Sequence, residues 1–416
     1  MKELGQLQLF PAIEEAYLEA GGELDQQTLY STVAEKLGIN PMDYYDGTGG
    51  KKGINLFYRK LRWLQQDMKN QKILRRVERG CWELIGTARN RLHAIKEGKS
   101  VIAMSTRMGV MICSRSESVF DNELINEEIS LVITSPPYIL NRARLYGGIS
   151  EEKEWCEFII NVMKKIKPKL ADGASIALQL GQDSFIQGMP ARKTHIERLT
   201  LMMVDEGFFL CDRMVIETNK PPTPTEWACK KKLLLKAGYD FVLHFTTNPL
   251  KLMIDNSRVR IEHKDSYKKF VLSGGSRSTS ITSDGAHRQK IGDYSKVDLS
   301  KGKIPSNVQY FSNKCKHGEL VNRFARSIGV PIHGAKMTYQ LAHFLIQYMC
   351  PVGKVAYDPF GGTCTVGEAS EDLERKWIVS EMIMEYIQQS FIRFRKFGDD
   401  VWFNPSFLGD KYRLNF

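Results

Sequence analysis

Ile129-Ser130-Leu131-Val132-Ile133-Thr134-Ser135-Pro136-Pro137-Tyr138 is the stretch that decides the fold. Its first half is apolar and largely β-branched, which reads as a buried strand. The strand must stop at two successive prolines, because neither carries an N–H to continue a ladder. A hydroxyl, two rigid carbonyls and an aromatic ring are left on the lip of a sheet. In open α/β sheets, ligands bind at the carboxyl ends of strands. A Pro-Pro pair by itself would be an ordinary strand-ending turn.

A distant partner changes that reading. Asp358-Pro359-Phe360-Gly361-Gly362-Thr363-Cys364-Thr365 follows the strand-like Lys354-Val355-Ala356-Tyr357 and precedes a helix-like run from Val366 to Leu373. Strand, glycine turn and helix let a backbone approach a nucleotide-like ligand closely. Taken together, Thr134-Ser135-Pro136-Pro137-Tyr138 and this loop resemble the S-adenosylmethionine-dependent amino-methyltransferases of DNA bases. Catalytic motif first and cofactor motif second is similar to the permuted β class of that family. The serine heading the motif is similar to the cytosine-N4 branch, where the adenine branch usually has Asp or Asn. The resemblance covers residues 107–400 in patches.

It implies a class I, Rossmann-like, doubly wound α/β sheet, circularly permuted. It implies Ser135, Pro136, Pro137 and Tyr138 as the catalytic set. The cofactor set it implies is Thr134, His333, Asp358, Pro359, Phe360, Gly361, Gly362, Thr363, Thr365, Glu381 and Met382. Glu381 ends the strand-like Trp377-Ile378-Val379-Ser380, and a carboxylate there can accept both ribose hydroxyls. Met382 would lie on the adenine face. Three places depart from the family pattern. Ser114-Arg115 stands where a Gly-Asp pair usually holds the adenine. His333-Gly334-Ala335-Lys336-Met337-Thr338 stands for His-Pro-Ala-x-Phe-Pro, and Cys364 for a common glycine.

The chain's bounds agree. It has 416 residues, 42% hydrophobic and 26% charged, and a net charge of +11. That length accommodates two domains, and the charge favours a polyanionic partner. No apolar run approaches the roughly 20 residues of a membrane span, and no signal-peptide pattern opens the chain. Eight cysteines without a Cys-x-x-Cys pair read as reduced thiols of a cytosolic protein.

Residues 1–92 read as a separate unit. Ile54, Phe57, Leu61, Leu64 and Met68 recur at helical steps, after two shorter helical stretches. Ile73 to Val77 and Cys81 to Ile85 flank Glu78-Arg79-Gly80 as a hairpin. Three helices and a hairpin make an α+β winged helix, and the stretch resembles the winged-helix domain at the start of some bacterial restriction proteins. Residues 1–50 hold two basic and nine acidic residues, whereas residues 51–91 hold twelve and three. The basic half contains the recognition helix and wing, so Arg75, Arg76 and Arg79 are candidate DNA contacts; a packing domain with a solvated basic face is the plainer alternative.

Residues 93–108 read as a linker, and 109–416 as the methyltransferase domain. Asn141 to Ile149 reads as a loop over the base. Lys220 lies in the proline-bearing loop that family members carry near the target base. Residues 250–310 are polar and read as a target-recognition insert, with a disordered insert as the alternative. His244, in an apolar-rich strand, reads as structural.

The chemistry needs no metal, because a sulfonium methyl is already electrophilic. The expected reaction is methylation of the exocyclic N4 of a flipped-out cytosine in duplex DNA. Adenine N6 and an inactive DNA-binding regulator are the rivals. The implied setting is the bacterial cytoplasm at the nucleoid, as a monomer or homodimer, with room for a cognate restriction endonuclease.

Overall fold

The computed structural model describes residues 6–46, 54–70, 74–84, 92–121, 125–139, 149–221, 223–275 and 294–408. The N-terminal unit comprises α1 (Gln6–Glu19), β1 (Glu23–Asp25), α2 (Gln26–Lys36), the short strands β2 (Tyr45–Asp46) and β3 (Ile54–Asn55), α3 (Leu56–Asn70), β4 (Leu74–Glu78) and β5 (Cys81–Leu84). Asp25 starts α2 by accepting from the backbone N–H groups of Gln27 and Thr28, which satisfies two donors that a helix start leaves orphaned. The spacing of Phe57, Leu61, Leu64 and Met68 puts all four on one face of α3, fully buried against Leu9, Ile13, Tyr17, Leu29 and Val33. Strands β4 and β5 form the expected hairpin, and β1 completes a three-stranded sheet in the order β1-β5-β4.

The remainder is built on one ten-stranded sheet. In chain order its strands are β6 (Ser100–Ser105), β7 (Gly109–Ser114), β8 (Ile129–Thr134), β9 (Leu170–Leu180), β10 (Phe209–Glu217), β11 (Tyr239–Thr246), β12 (Val308–Tyr310), β13 (Val355–Asp358), β14 (Lys376–Glu381) and β15 (Trp402–Phe403). In space they run β12-β10-β11-β9-β8-β13-β14-β7-β6-β15. The central block β9-β8-β13-β14-β7 is parallel. Its strands are buried on both faces, which is why β8 and β13 read as unbroken apolar runs rather than alternating ones. Helices α4 (Glu152–Ile166) and α5 (His195–Asp205) cover one face with Trp155, Ile159, Met163, Leu199 and Met203. The helices on the other face are α7 (Lys316–Ile328), α8 (Tyr339–Met349), α9 (Thr365–Asp372) and α10 (Met384–Ser390); the shorter α6 (Asp265–Leu272) precedes them in the chain.

The chain leaves β8 through α4 to β9 on one side, and leaves β13 through α9 to β14 on the other. The topological switch point therefore lies between β8 and β13, two strands more than 200 residues apart in the sequence. The late strands β13 and β14 are inserted between β8 and the earlier β7, as the permuted order of motifs requires.

Two expectations need correction. Residues 93–108 are not a plain connector. Ser100–Ser105 is a sheet strand antiparallel to β7, and Ala94 forms a β-bridge with Ile383. The strand has no alternation to read, since Val101 and Ile102 are exposed and Ala103 and Met104 are buried. Part of the 250–310 segment also belongs to the sheet, since β12 pairs in parallel with β10. Within the same segment, α6 and a bridge between Ile261 and Lys303 are formed. Residues 276–293 and the loop residues 141–148 lie outside the described residues.

Candidate active site

Strand β8 delivers Thr134 and Ser135 to the switch point, and β13 delivers Asp358 beside them. Thr134 Oγ1 donates to Asp358 Oδ1 at 2.6 Å, tying the two motifs together. The same carboxylate oxygen accepts the Phe360 N–H at 3.0 Å, which bends the chain into the glycine turn. Thr134 is fully buried and does not line the cleft. Its expected contact with a cofactor is thus corrected to a positioning role behind Asp358.

The cleft at this point brings together nearly all the expected residues. Ser135, Pro136, Pro137 and Tyr138 form one wall, and His333, Asp358, Pro359, Phe360, Gly361, Gly362, Thr363, Thr365, Glu381 and Met382 form the other. Trp155 Nε1 donates to the Pro137 carbonyl, so α4 pins the proline turn from below. Ser135 Oγ lies 3.3 Å from Tyr138 Oη.

Glu381 Oε2 accepts the Gly362 N–H and Oε1 the Ile383 N–H, each at 2.8 Å. Each oxygen keeps a second lone pair for a ligand hydroxyl. Gly361 is required by packing: a Cβ there would sit 2.0 Å from Val379 Cγ1. Gly361→Ala is expected to destabilise the protein by about 1–3 kcal/mol, as overpacking does; denaturant unfolding that matches the parent would refute this. Cys364, in place of a common glycine, takes the left-handed conformation at φ 57. The loop shape is kept at the cost of backbone strain.

Burial raises the carboxyls of Asp358 and Glu381 to about 7. Both are expected to be protonated more readily folded than unfolded, so the free protein loses stability as pH rises from the ordinary carboxyl range through 7. Hydroxyl donors from a ligand favour the ionised carboxylate and reverse that trend. Cofactor affinity is expected to rise between pH 6 and 8, with proton release on binding below 7. Calorimetry at pH 6.5 in two buffers of different ionisation enthalpy measures it; identical heats would refute the linkage.

Three contributors were not singled out from the sequence. Ser116 and Glu117 line the cleft just after β7. A carboxylate thus lines the cleft two residues beyond Arg115, at Glu117. Lys336 also lines the cleft. Its Nζ donates to Asn322 Oδ1 at 2.8 Å and to the His333 carbonyl, and burial together with Arg393 lowers it to about 8. An ammonium held there suits a carboxylate. The only sequence signal for it was the variable position of the His333–Thr338 motif.

Lys220 does not sit in an exposed, phosphate-facing position. Its Nζ lies 2.8 Å from Asp240 and 2.9 Å from Asp183, with its side chain largely buried. Arg75 pairs with Glu83 across the hairpin, and Arg76 Nε donates to the Glu78 carbonyl at 3.1 Å; Arg79 is exposed at the tip. His244 is buried with its Nε2 3.0 Å from Ser175 Oγ, and burial lowers it to about 4. It is a neutral structural histidine. Among the described residues no cluster of three or more His, Cys, Asp or Glu side chains could hold a metal ion, and no helix is long and apolar enough to cross a membrane.

The DNA methylase family model of N6 and N4 methyltransferases matches residues 129–391, which span both motifs. The type II methyltransferase M.PvuII of Proteus hauseri is 30% identical over 294 residues, 70% of this chain and 85% of that protein. The solved structure of PvuII DNA methyltransferase (cytosine-N4-specific) superposes with a TM-score of 0.54 at 27% identity, covering 70% of this chain and 87% of that one. The chain belongs to the DNA methylase family of N6 and N4 methyltransferases.

Proposed function

We propose that this methylase transfers the methyl group of S-adenosyl-L-methionine to the N4 of a cytosine flipped out of duplex DNA. The observation that carries the proposal is the position of Ser135, at the switch point between the Glu381 side of the cleft and the Tyr138 ring. The likeness to a cytosine-N4-specific relative supports the choice of base.

The cleft fits the cofactor. Glu381 would take the ribose hydroxyls, Met382 and Glu117 would meet the adenine, and Lys336 would face the methionine carboxylate. When bound, S-adenosyl-L-methionine supplies an electrophilic methyl on a sulfonium. The protein's own task is the amine, whose lone pair is delocalised into the ring. Ser135 Oγ and the Pro136 carbonyl each accept one amine N–H, which orients the nitrogen and raises its electron density. Proline fixes φ, so the carbonyl is aimed in advance. Tyr138 stacks on the extruded base. The proton lost after transfer passes to water.

Digestion of treated duplex DNA to nucleosides, with products identified by mass, tests the assignment. N4-methylcytosine is expected, and N6-methyladenine would overturn the base.

The N-terminal unit is read as a winged helix that grips DNA. Arg59, Arg62, Trp63, Gln66 and Lys69 form the exposed face of α3, and Arg59 lies over the Trp63 ring at 4.5 Å. This face adds to the hairpin arginines already named. Neutralising Arg62, Arg76 and Arg79 together is expected to weaken DNA binding. The slope of log affinity against log salt should flatten by up to ~0.9 for each phosphate no longer neutralised. An unchanged salt slope would return the unit to a packing role.

A further inference from the structure

A second polar group lies along the same sheet edge, on the side away from the cofactor cleft. Strands β8, β9 and β10 end at this edge and β11 begins there. Strand alternation continues Ile133, Ala177, Val242 and Ile216, all on one core face, into Ser135, Gln179, Asp240 and Thr218. Gly181 follows Gln179 on that face. A Cβ on Gly181 would meet the Tyr138 ring at 3.1 Å and Asp240 Oδ1 at 3.7 Å. Gly181 therefore sets the Tyr138 ring and Asp240 close to one another, and any larger residue there would press on the ring.

Lys220 reaches the same place from the loop after β10. An ammonium has three protons. Two are given to Asp240 at 2.8 Å and Asp183 at 2.9 Å; among the described residues these two carboxylates are its partners. Asp183 is held by Thr223 Oγ1 at 3.0 Å and faces Arg192 at 3.5 Å. A lysine fixed by two carboxylates cannot swing away, so its third proton has a set direction. Among the described residues, the neighbourhood also holds buried polar atoms without a hydrogen-bond partner, Gln179 Oε1 and Thr218 Oγ1. Native interiors seldom leave such atoms unpaired, and a water or an incoming ligand would satisfy them.

We propose that Lys220, clamped between Asp183 and Asp240, donates its third proton to the 2-oxo group of the flipped cytosine and thereby rejects adenine. The inference rests on the cytosine-N4 reading and adds to it the group that makes the choice. Ser135 and Pro136 cannot choose, because they read an exocyclic amine that both bases carry. With the amines superposed, cytosine N3 falls on adenine N1, and the cytosine 2-oxo group falls on an adenine C–H. A fixed donor at that point gains an acceptor in one case and is left unpaired in the other. Sites built to hydrogen-bond a substrate group discriminate strongly against an analogue that lacks it.

The test uses the full-length enzyme on unmethylated plasmid DNA, first to identify the product and map the methylated site. Duplexes carrying that site then present either cytosine or a carbon-linked 2-aminopyridine nucleoside, which keeps the neutral amine and the adjacent ring nitrogen but lacks the 2-oxo group. The parent enzyme is expected to methylate the analogue about 10- to 150-fold more slowly, the loss of one charge-assisted hydrogen bond. Lys220→Met is expected to methylate both duplexes at one similar, reduced rate, with cofactor affinity unchanged. Because Lys220→Met leaves Asp240 buried and unpaired, Lys220→Met with Asp240→Asn is measured beside it. N4-methylcytosine from the parent, with analogue discrimination kept in the folded variant, overturns the inference alone. Equal parent rates on the two duplexes do the same. N6-methyladenine from the parent overturns the cytosine reading and the inference with it.

Discussion

Ser135→Ala is expected to lower turnover roughly 10²–10³-fold, by analogy with the loss of one oxyanion-hole donor, while cofactor and DNA affinities stay near those of the parent. The asymmetry follows from when the hydroxyl matters. In the ground state the amine can find water or the Pro136 carbonyl. As the nitrogen attacks, positive charge develops on it, and each missing acceptor is felt in full. The fold should be indifferent to the change, because Ser135 is only half buried and its hydrogen bond to Tyr138 Oη is long at 3.3 Å. Single-turnover rates with saturating cofactor and DNA give the measurement. A turnover within about threefold of the parent, far short of the loss expected for a missing acceptor, would remove Ser135 from the catalytic set, and an equal loss of DNA affinity would make it a binding residue. Tyr138→Ala should differ in kind, weakening capture of the base as well as turnover.

What the sequence made legible here follows a physical rule. Residues that end a buried parallel strand, Ser135 and Glu381 among them, announce themselves. The strand is an unbroken apolar run, and its carboxyl end has a known relation to ligands. The glycine loop after β13 is legible for a similar reason, since close packing against Val379 leaves no choice of residue at Gly361. Contacts made across the sheet are not legible. Thr134 looks like part of the exposed motif, yet its hydroxyl is spent on Asp358, 224 residues away. Lys220 looks like one more cation in a basic chain until the strand order sets Asp183 and Asp240 beside it. Glu117 was hidden by two residues of offset from the family pattern, and β6 by its lack of alternation, exposed at Val101 and Ile102 and buried at Ala103 and Met104.

Glu381→Ala is expected to weaken cofactor binding by about 10²- to 10³-fold, since two charge-assisted hydrogen bonds go together and are not fully additive. The same carboxylate also organises the protein. It accepts the N–H groups of Gly362 and Ile383, each at 2.8 Å, and so joins the glycine turn of β13 to the segment after β14. Ile383 in turn bridges to Ala94, which fastens the start of the catalytic domain to the same spot. Removing the carboxylate orphans two backbone donors, so part of the affinity loss would be loss of shape. Glu381→Gln separates the two effects. The amide is isosteric and keeps one acceptor, but its NH₂ must face one of the two N–H donors, and it cannot ionise. If charge towards the ribose dominates, Gln behaves nearly like Ala and the rise of affinity between pH 6 and 8 diminishes. If the backbone scaffold dominates, Gln recovers much of the affinity and the pH dependence persists through Asp358, whose carboxyl burial also raises to about 7. Calorimetry on the three proteins across that range decides between them, and parent-like affinity in Glu381→Ala would remove the residue from the cofactor site.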